Sequence, residues 1–187
     1  MTPREILNFL GVAEKLKSVL RHSWTSTGRQ ESVAEHSWRL CVFAWLLKNR
    51  FPDINMNKVI RMCLFHDLGE ALTGDIPSFE KTGSDENTEK LAISRILDML
   101  DDDLKAELAA LFREMEEQKT REARLYKTLD KLEAVIQHNE APLETWIPLE
   151  YELNLTYADD YVKGDPFLEE FREQMRKDIL EKIAGGK

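Results

Sequence analysis

The chain has little with which to cross-link itself and little with which to bind a polyanion. Its 187 residues include two cysteines, too few for the disulfide framework of a small secreted domain or for a zinc ribbon. Cys41 and Cys63 both lie in apolar stretches of helical pattern, the setting of buried, reduced thiols, which points to the cytoplasm. A formal net charge of −9 with no stripe of Lys and Arg argues against a long nucleic-acid partner, because phosphate backbones are held by clustered cations. A small anion remains possible, given a local positive centre such as a metal ion or one or two arginines. The longest apolar run, LCVFAWLL, is too short to span a membrane, and MTPREILNF lacks the basic and apolar segments of a signal peptide.

Sustained alternation of apolar and polar residues is also missing, as are repeats and low-complexity linkers. Apolar positions recur instead at helical spacing, so the expected class is all-α in a single domain. A domain of this length buries roughly 70% of the surface its unfolded chain exposes, so it folds without a structural metal, and any metal is free to be functional. Thr2-Pro3 opens a first helix running to about Leu20, which RHSWTSTGRQE then breaks. Ser32 and Glu35 form a capping box for a second helix through CVFAWLLKNRF to Phe51-Pro52. A third starts at Asn55 or Asn57 and carries VIRMCLFHDLGEALTGDIPS; a long loop, TGDIPSFEKTGSD, follows. Two amphipathic packing helices come next, around Leu91–Leu100 and Leu104–Met115. A sixth spans about Thr120 to Asn139, a shorter element follows Pro142, and Asp165-Pro166 caps a last helix.

The third helix poses a physical problem. Val59, Ile60, Met62, Cys63, Leu64 and Phe65 read as a largely covered helix, yet it ends in His66-Asp67, and burying such a pair is costly unless something compensates it. Adjacent side chains about 100° apart around a helix converge only on something off its shoulder. A bound ion fits there, and imidazole with carboxylate suits a divalent cation of intermediate hardness. An isolated His-Asp pair also arises as a plain helix-end hydrogen bond. Two further polar groups stand at expected core positions: His36, in ESVAEHSW, and Asp130, between Leu129 and Leu132. One ion would compensate all four.

In this order, His36, then adjacent His66-Asp67, then a distant Asp130, the sequence resembles the HD superfamily of metal-dependent phosphohydrolases. The pattern EHS before the first ligand helix and HDxxE…TGDxP after the second is most similar to the bacterial 5′-deoxynucleotidases and their eukaryotic HD-domain relatives. The resemblance runs from about Arg21 to beyond Asp130. It implies an HD-type helical bundle over residues 1–187, with a metal-binding core at about 21–141 and a C-terminal packing helix at about 166–184. It implies one divalent ion (Mn, Co, Mg, Zn or Fe) and a dimeric assembly. Of the four histidines, His138 lies about 12 Å along the helix from Asp130, too far to share that ion, and reads as a surface or core residue. No histidine occurs between Asp67 and His138, where two-metal HD enzymes look to need more, so one metal is expected.

The resemblance also implies roles. Glu70, one helical turn beyond His66 and Asp67, matches the family's general acid or base; its alternative is a solvated helix-end glutamate. Asp75 matches a carboxylate near the attacking water, or is an ordinary turn residue. Arg21 matches a phosphate-binding arginine. Trp24 matches a substrate-facing tryptophan less closely, since in bacterial relatives that residue directly follows the arginine, and it could instead pack the loop onto the domain. Lys81 and Arg29 could also reach an anion. The activity implied is hydrolysis of 2′-deoxynucleoside 5′-monophosphates to deoxynucleoside and phosphate. The alternatives are an HD phosphohydrolase for another phosphorylated metabolite and a catalytically silent nucleotide-binding module; retention of Glu70 and Asp75 speaks against the latter.

Overall fold

The computed structural model describes residues 1–77, 80 and 82–186. The longer helices start where short polar side chains can satisfy the exposed N–H groups of a first turn. In α1 (Pro3–Glu14) Thr2 and Glu5 form a reciprocal capping box, and Ser32 with Glu35 does the same for α2 (Val33–Leu46). Asn55 accepts from the Lys58 N–H at the start of α3 (Met56–Phe65). After α4 (Glu70–Thr73) come α5 (Gly83–Leu97), then α6 (Asp102–Glu117), capped by Asp101, and α7 (Arg121–Glu140), capped by Thr120. Two short helices, α8 (Glu150–Thr156) and α9 (Asp159–Val162), lead to α10 (Pro166–Gly185), where Asp165 accepts from two N–H groups and Pro166 occupies the first position. The helical class expected from periodicity is the class observed.

Two differences from the sequence reading matter for the site. The first helix ends at Glu14, and Leu20–Trp24 is a strand, β1, paired antiparallel with β2 (Gln30–Ser32). The turn between them closes with the Gly28 N–H donating to Thr25 O at 3.0 Å, Gly28 taking the left-handed φ of +78° that suits glycine. The hairpin is too short to show alternation, so its polar composition reads as loop. The second difference is a break in the third helix. Leu68 N–H donates to Phe65 O and Glu70 N–H to Asp67 O, each at 3.0 Å; this tight turn separates α3 from α4 and leaves His66 and Asp67 at the break. The break sits against α5. A Cβ on Gly69 would come within 3.1 Å of both Glu89 Cγ and Ile93 Cδ1, so any larger residue would require these side chains to give by a few tenths of an ångström.

At the centre lies α7, packed against α2, α3, α6, α9, α10 and β1. Its buried residues, Ala123, Leu125, Leu129, Leu132 and Val135 among them, cover most of its circumference, as expected of a helix enclosed on several sides. The amide of Gln137 ties the hairpin to it by donating to Trp24 O at 2.6 Å. No described helix is long and apolar enough to cross a membrane.

The segment containing α8 and α9 is held to α10 through a buried side chain. Arg172 on α10 is 1% exposed; its Nε donates to Tyr157 O at 3.0 Å and its Nη2 to Asn154 O at 2.8 Å, while Asp159 Oδ1 pairs with it at 3.0 Å. Replacing it strands two carbonyls, and each unsatisfied buried group costs about 1–3 kcal/mol. Arg172→Leu is therefore expected to lower unfolding free energy by about 2–4 kcal/mol, read as an earlier midpoint in urea at unchanged slope.

Candidate metal centre and substrate cavity

Three structural elements bring the four sequence-predicted polar residues together. The capping box of α2 sets the first turn from which His36 enters the core, fully buried; the break after α3 presents His66 and Asp67; Asp130 projects from the middle of α7. Each imidazole is oriented through its Nδ1. That of His66 donates to Cys63 O at 2.9 Å, and that of His36 is paired with Glu133 Oε2. A ring so held turns its Nε2 lone pair to the opposite side. His66 Nε2 then lies 2.9 Å from Asp67 Oδ2 and 3.6 Å from Asp130 Oδ1, and His36 Nε2 lies 3.3 Å from Asp130 Oδ1 and 4.0 Å from Asp67 Oδ2.

Lone pairs facing carboxylates repel unless protons or a cation stand between them. Neither Nε2 has a hydrogen bond of acceptable geometry, and the donor atoms of His36, His66 and Asp67 lie within 4.8 Å of one another. Donors bound at about 2.1 Å to one ion sit about 3 Å apart at right angles and about 4.2 Å apart when opposite, the range these distances cover. The residues fit a divalent ion. Without one the site answers with protons. Burial disfavours charge on His66, but Asp67 and Asp130 push it up to about 10. Burial likewise opposes ionisation of Asp67 and Asp130, yet His66 for the first and Lys127 for the second hold them well below the usual carboxylate range.

A second group of possible donors, Glu31, His36 and Glu133, is already neutralised. Arg39 Nε donates to Glu133 Oε1 at 2.6 Å, and Arg21 Nε lies 3.3 Å from Glu31 Oε2. Arg21 also extends Nη1 to within 3.6 Å of Asp67 Oδ2, which puts a guanidinium beside the candidate centre.

Asp67 and Asp130 line a cavity of about 400 Å³, together with Arg21, Glu70, Asp75 and Lys127, a volume in the range of small-molecule sites. Burial, then the charges of Asp67 and Asp75, push Glu70 up to about 10. It is a buried carboxyl, unlike the solvated helix-end glutamate that sequence left open. Trp24 is not among the lining residues, and its carbonyl is engaged by Gln137. Arg29 is also elsewhere, paired with Glu35; Lys81 lies outside the described residues.

Three features escaped sequence reasoning. Lys127 sits 2.8 Å from Asp130 Oδ2 and lines the cavity, and Glu133 holds His36. Both are three residues from Asp130 on the same helix face, so the run KTLDKLEAV carried the signal. His138 faces the cavity rather than solvent, with Nε2 3.3 Å from Glu150 Oε1.

The HD domain family profile matches residues 13–172. The chain is 34% identical over 141 residues to the human protein named 5′-deoxynucleotidase HDDC2, covering 73% of this chain and 68% of that one. It is 30% identical over 188 residues to the Dictyostelium discoideum protein of the same name, covering 95% and 94%. Among solved structures, a predicted metal-dependent phosphohydrolase from Magnetospirillum magnetotacticum MS-1 superposes with a TM-score of 0.80 at 27% identity, covering 96% of this chain and 95% of that one. The helical bundle, the paired His66-Asp67 with His36 and Asp130 around them, and these matches lead to one assignment: the chain belongs to the HD domain family.

Proposed function

We propose that the protein is a metal-dependent phosphomonoesterase that converts 2′-deoxynucleoside 5′-monophosphates and water to deoxynucleosides and inorganic phosphate. The observation that carries the reading is the pair of buried imidazole lone pairs facing two carboxylates at a cavity also lined by Arg21 and Lys127. The relatives' printed names support the reaction class. His36, His66, Asp67 and Asp130 would hold one divalent ion, whose identity this donor set leaves open among Mn, Co, Mg, Zn and Fe. Bound there, such an ion supplies Lewis-acid polarisation of a phosphoryl oxygen and a more acidic water.

The chain's own residues do the rest. Arg21 offers a planar donor fork for phosphate oxygens, with Glu31 Oε2 in ion-pair contact 3.3 Å from its Nε. Glu70, raised by burial and by its carboxylate neighbours, holds a proton at neutral pH and can release it to the 5′-oxygen as the P–O bond breaks. Asp75, which lines the same cavity, is proposed to orient the attacking water. The two free cysteines suit a reducing compartment, and we place the protein in the cytoplasm. A homodimer is part of the reading. On α2, Trp38, Val42, Trp45 and Leu46 are 67%, 38%, 55% and 64% exposed, and a contiguous patch of large apolar side chains marks a contact surface.

Phosphate release from deoxy- and ribonucleotides, assayed with each divalent metal in turn, tests the function: dAMP is expected to be hydrolysed with higher kcat/KM than AMP, and equal efficiencies would refute the assigned selectivity. Metal analysis should find one ion per chain, absent in His66→Ala. In Glu133→Gln, which leaves the ligands in place but loosens the orientation of His36, chelator competition should show affinity reduced about 10–100-fold. Glu70→Ala should keep its metal and lose about 10²–10⁴-fold in kcat with KM little changed; loss of the metal instead would make Glu70 a ligand. Light scattering should report a dimer for the native chain and a monomer for Trp45→Glu.

A further inference from the structure

A second cavity, of about 610 Å³, lies between α5, α6 and the first half of α7. Lys127 lines both this cavity and the one shared by Arg21 and Glu70, His66 lines only the second, and Asp67 and Asp130 line only the first. The second cavity therefore backs onto the candidate metal centre without opening on its carboxylates. It exists because α5 stands off the bundle. That helix packs against α4 and α6, and of its described residues only Ala92 and Ile96 are buried. Well-packed interiors keep few voids larger than a water molecule, and this one is of a size that holds small organic molecules.

Its walls carry the parts of a binding site. Tyr126, on α7, is 5% exposed, and its ring meets His66 edge to face with centroids 5.6 Å apart. Its hydroxyl makes no hydrogen bond to the described residues, although the side chain lines the cavity. A buried phenol normally finds a partner for its O–H, and burial without one is costly. Charge points to the kind of partner. Three cations line the cavity, Lys90, Arg113 and Lys127, against the carboxylates of Glu89 and Glu116, a positive balance in a chain of net charge −9. Lys90 is paired with Glu116 and Lys127 with Asp130, whereas Arg113 has no ion pair among the described residues. Ile93, Leu97 and Phe112 supply apolar surface in the same space.

We propose that this cavity is a second binding site, separate from the phosphate-facing one, for a small amphipathic organic anion. The acidic group of that ligand accepts a hydrogen bond from the Tyr126 hydroxyl and pairs with Arg113, and its apolar body lies against Ile93, Leu97 and Phe112. An acceptor is what the phenol lacks, and a negative one is what the surplus cation favours. The apolar walls exclude a fully hydrated ion such as inorganic phosphate as the preferred occupant, because nothing in it would bury them.

The test is a fluorescence titration of the full chain with anilinonaphthalene sulfonate, an aromatic anion, beside its uncharged analogue phenylnaphthylamine. It reads binding alone and does not depend on the nucleotidase reading. One saturable site is expected, with the sulfonate bound more tightly than the analogue. Tyr126→Phe should weaken sulfonate binding about tenfold, the loss of one bond to a charged group, and Arg113→Ala about threefold, since that charge is exposed. Ala109→Trp, which fills the cavity from α6, should abolish it; Ser94→Trp fills the same space from α5 and replaces it if the first variant does not fold. No saturable binding, or equal affinity in the native chain and every folded variant, overturns the site. Loss in the tryptophan variants alone, with Tyr126→Phe and Arg113→Ala binding as the native chain does, overturns the anion.

Discussion

Two imidazoles and two carboxylates meet in the core of this protein with their acceptor atoms turned toward one another. Hydrogen bonding within the chain cannot resolve that arrangement, because the other nitrogen of each ring is already committed, His66 to Cys63 O and His36 to Glu133. The group can exist only with positive charge at its centre, whether protons on the rings or a cation among them. Much of the surrounding architecture serves that requirement. Lys127 neutralises the outer oxygen of Asp130, Arg21 stands beside Asp67, and Arg39 balances Glu133 behind His36.

Helix α7 is where these demands converge. Its apolar residues hold it in the middle of the bundle, and its polar residues, Lys127, Asp130, Glu133, Gln137 and His138, take up consecutive tasks along the site. Residues three or four apart share a helix face, so one helix can give a candidate ligand, the residue that orients a second candidate, the anchor of the hairpin and part of the cavity wall. Burying so much polarity in the most enclosed helix is acceptable because the groups meet partners, Lys127 finding Asp130 on the same helix and Asp130, Glu133, Gln137 and His138 finding theirs on other elements.

The helices were legible because their caps are local: Thr2 with Glu5, Ser32 with Glu35 and Asp165 with Pro166 each declare a start within a few residues. Polar residues at core positions likewise exposed His36 and Asp130 before any coordinates. What stayed hidden depends on partners distant in sequence. The β1–β2 hairpin is too short to alternate, and its hold on α7 runs through a backbone carbonyl of Trp24. Trp24, expected from the family pattern to face substrate, does not line the cavity, while His22, two residues earlier, does. Glu150 gave no local sign because its meaning lies in His22 and His138, far away along the chain.

Gly69 gives the break between α3 and α4 a further meaning. A candidate ligand needs its distance to an ion held within about 0.2 Å, so in the proposed role the position of Asp67 must be reproducible, yet it sits at a turn rather than inside a helix. The face of α5 supplies the stop: Ile93 and the Glu89 stem lie close enough that even one methyl group on Gly69 would crowd them. Helix α5 thus behaves as a machinist's shim behind Gly69 whose thickness is one hydrogen atom. The side chains that α5 can present at Glu89 and Ile93 are therefore tied to what residue 69 is, two positions from Asp67 and itself without any reactive group.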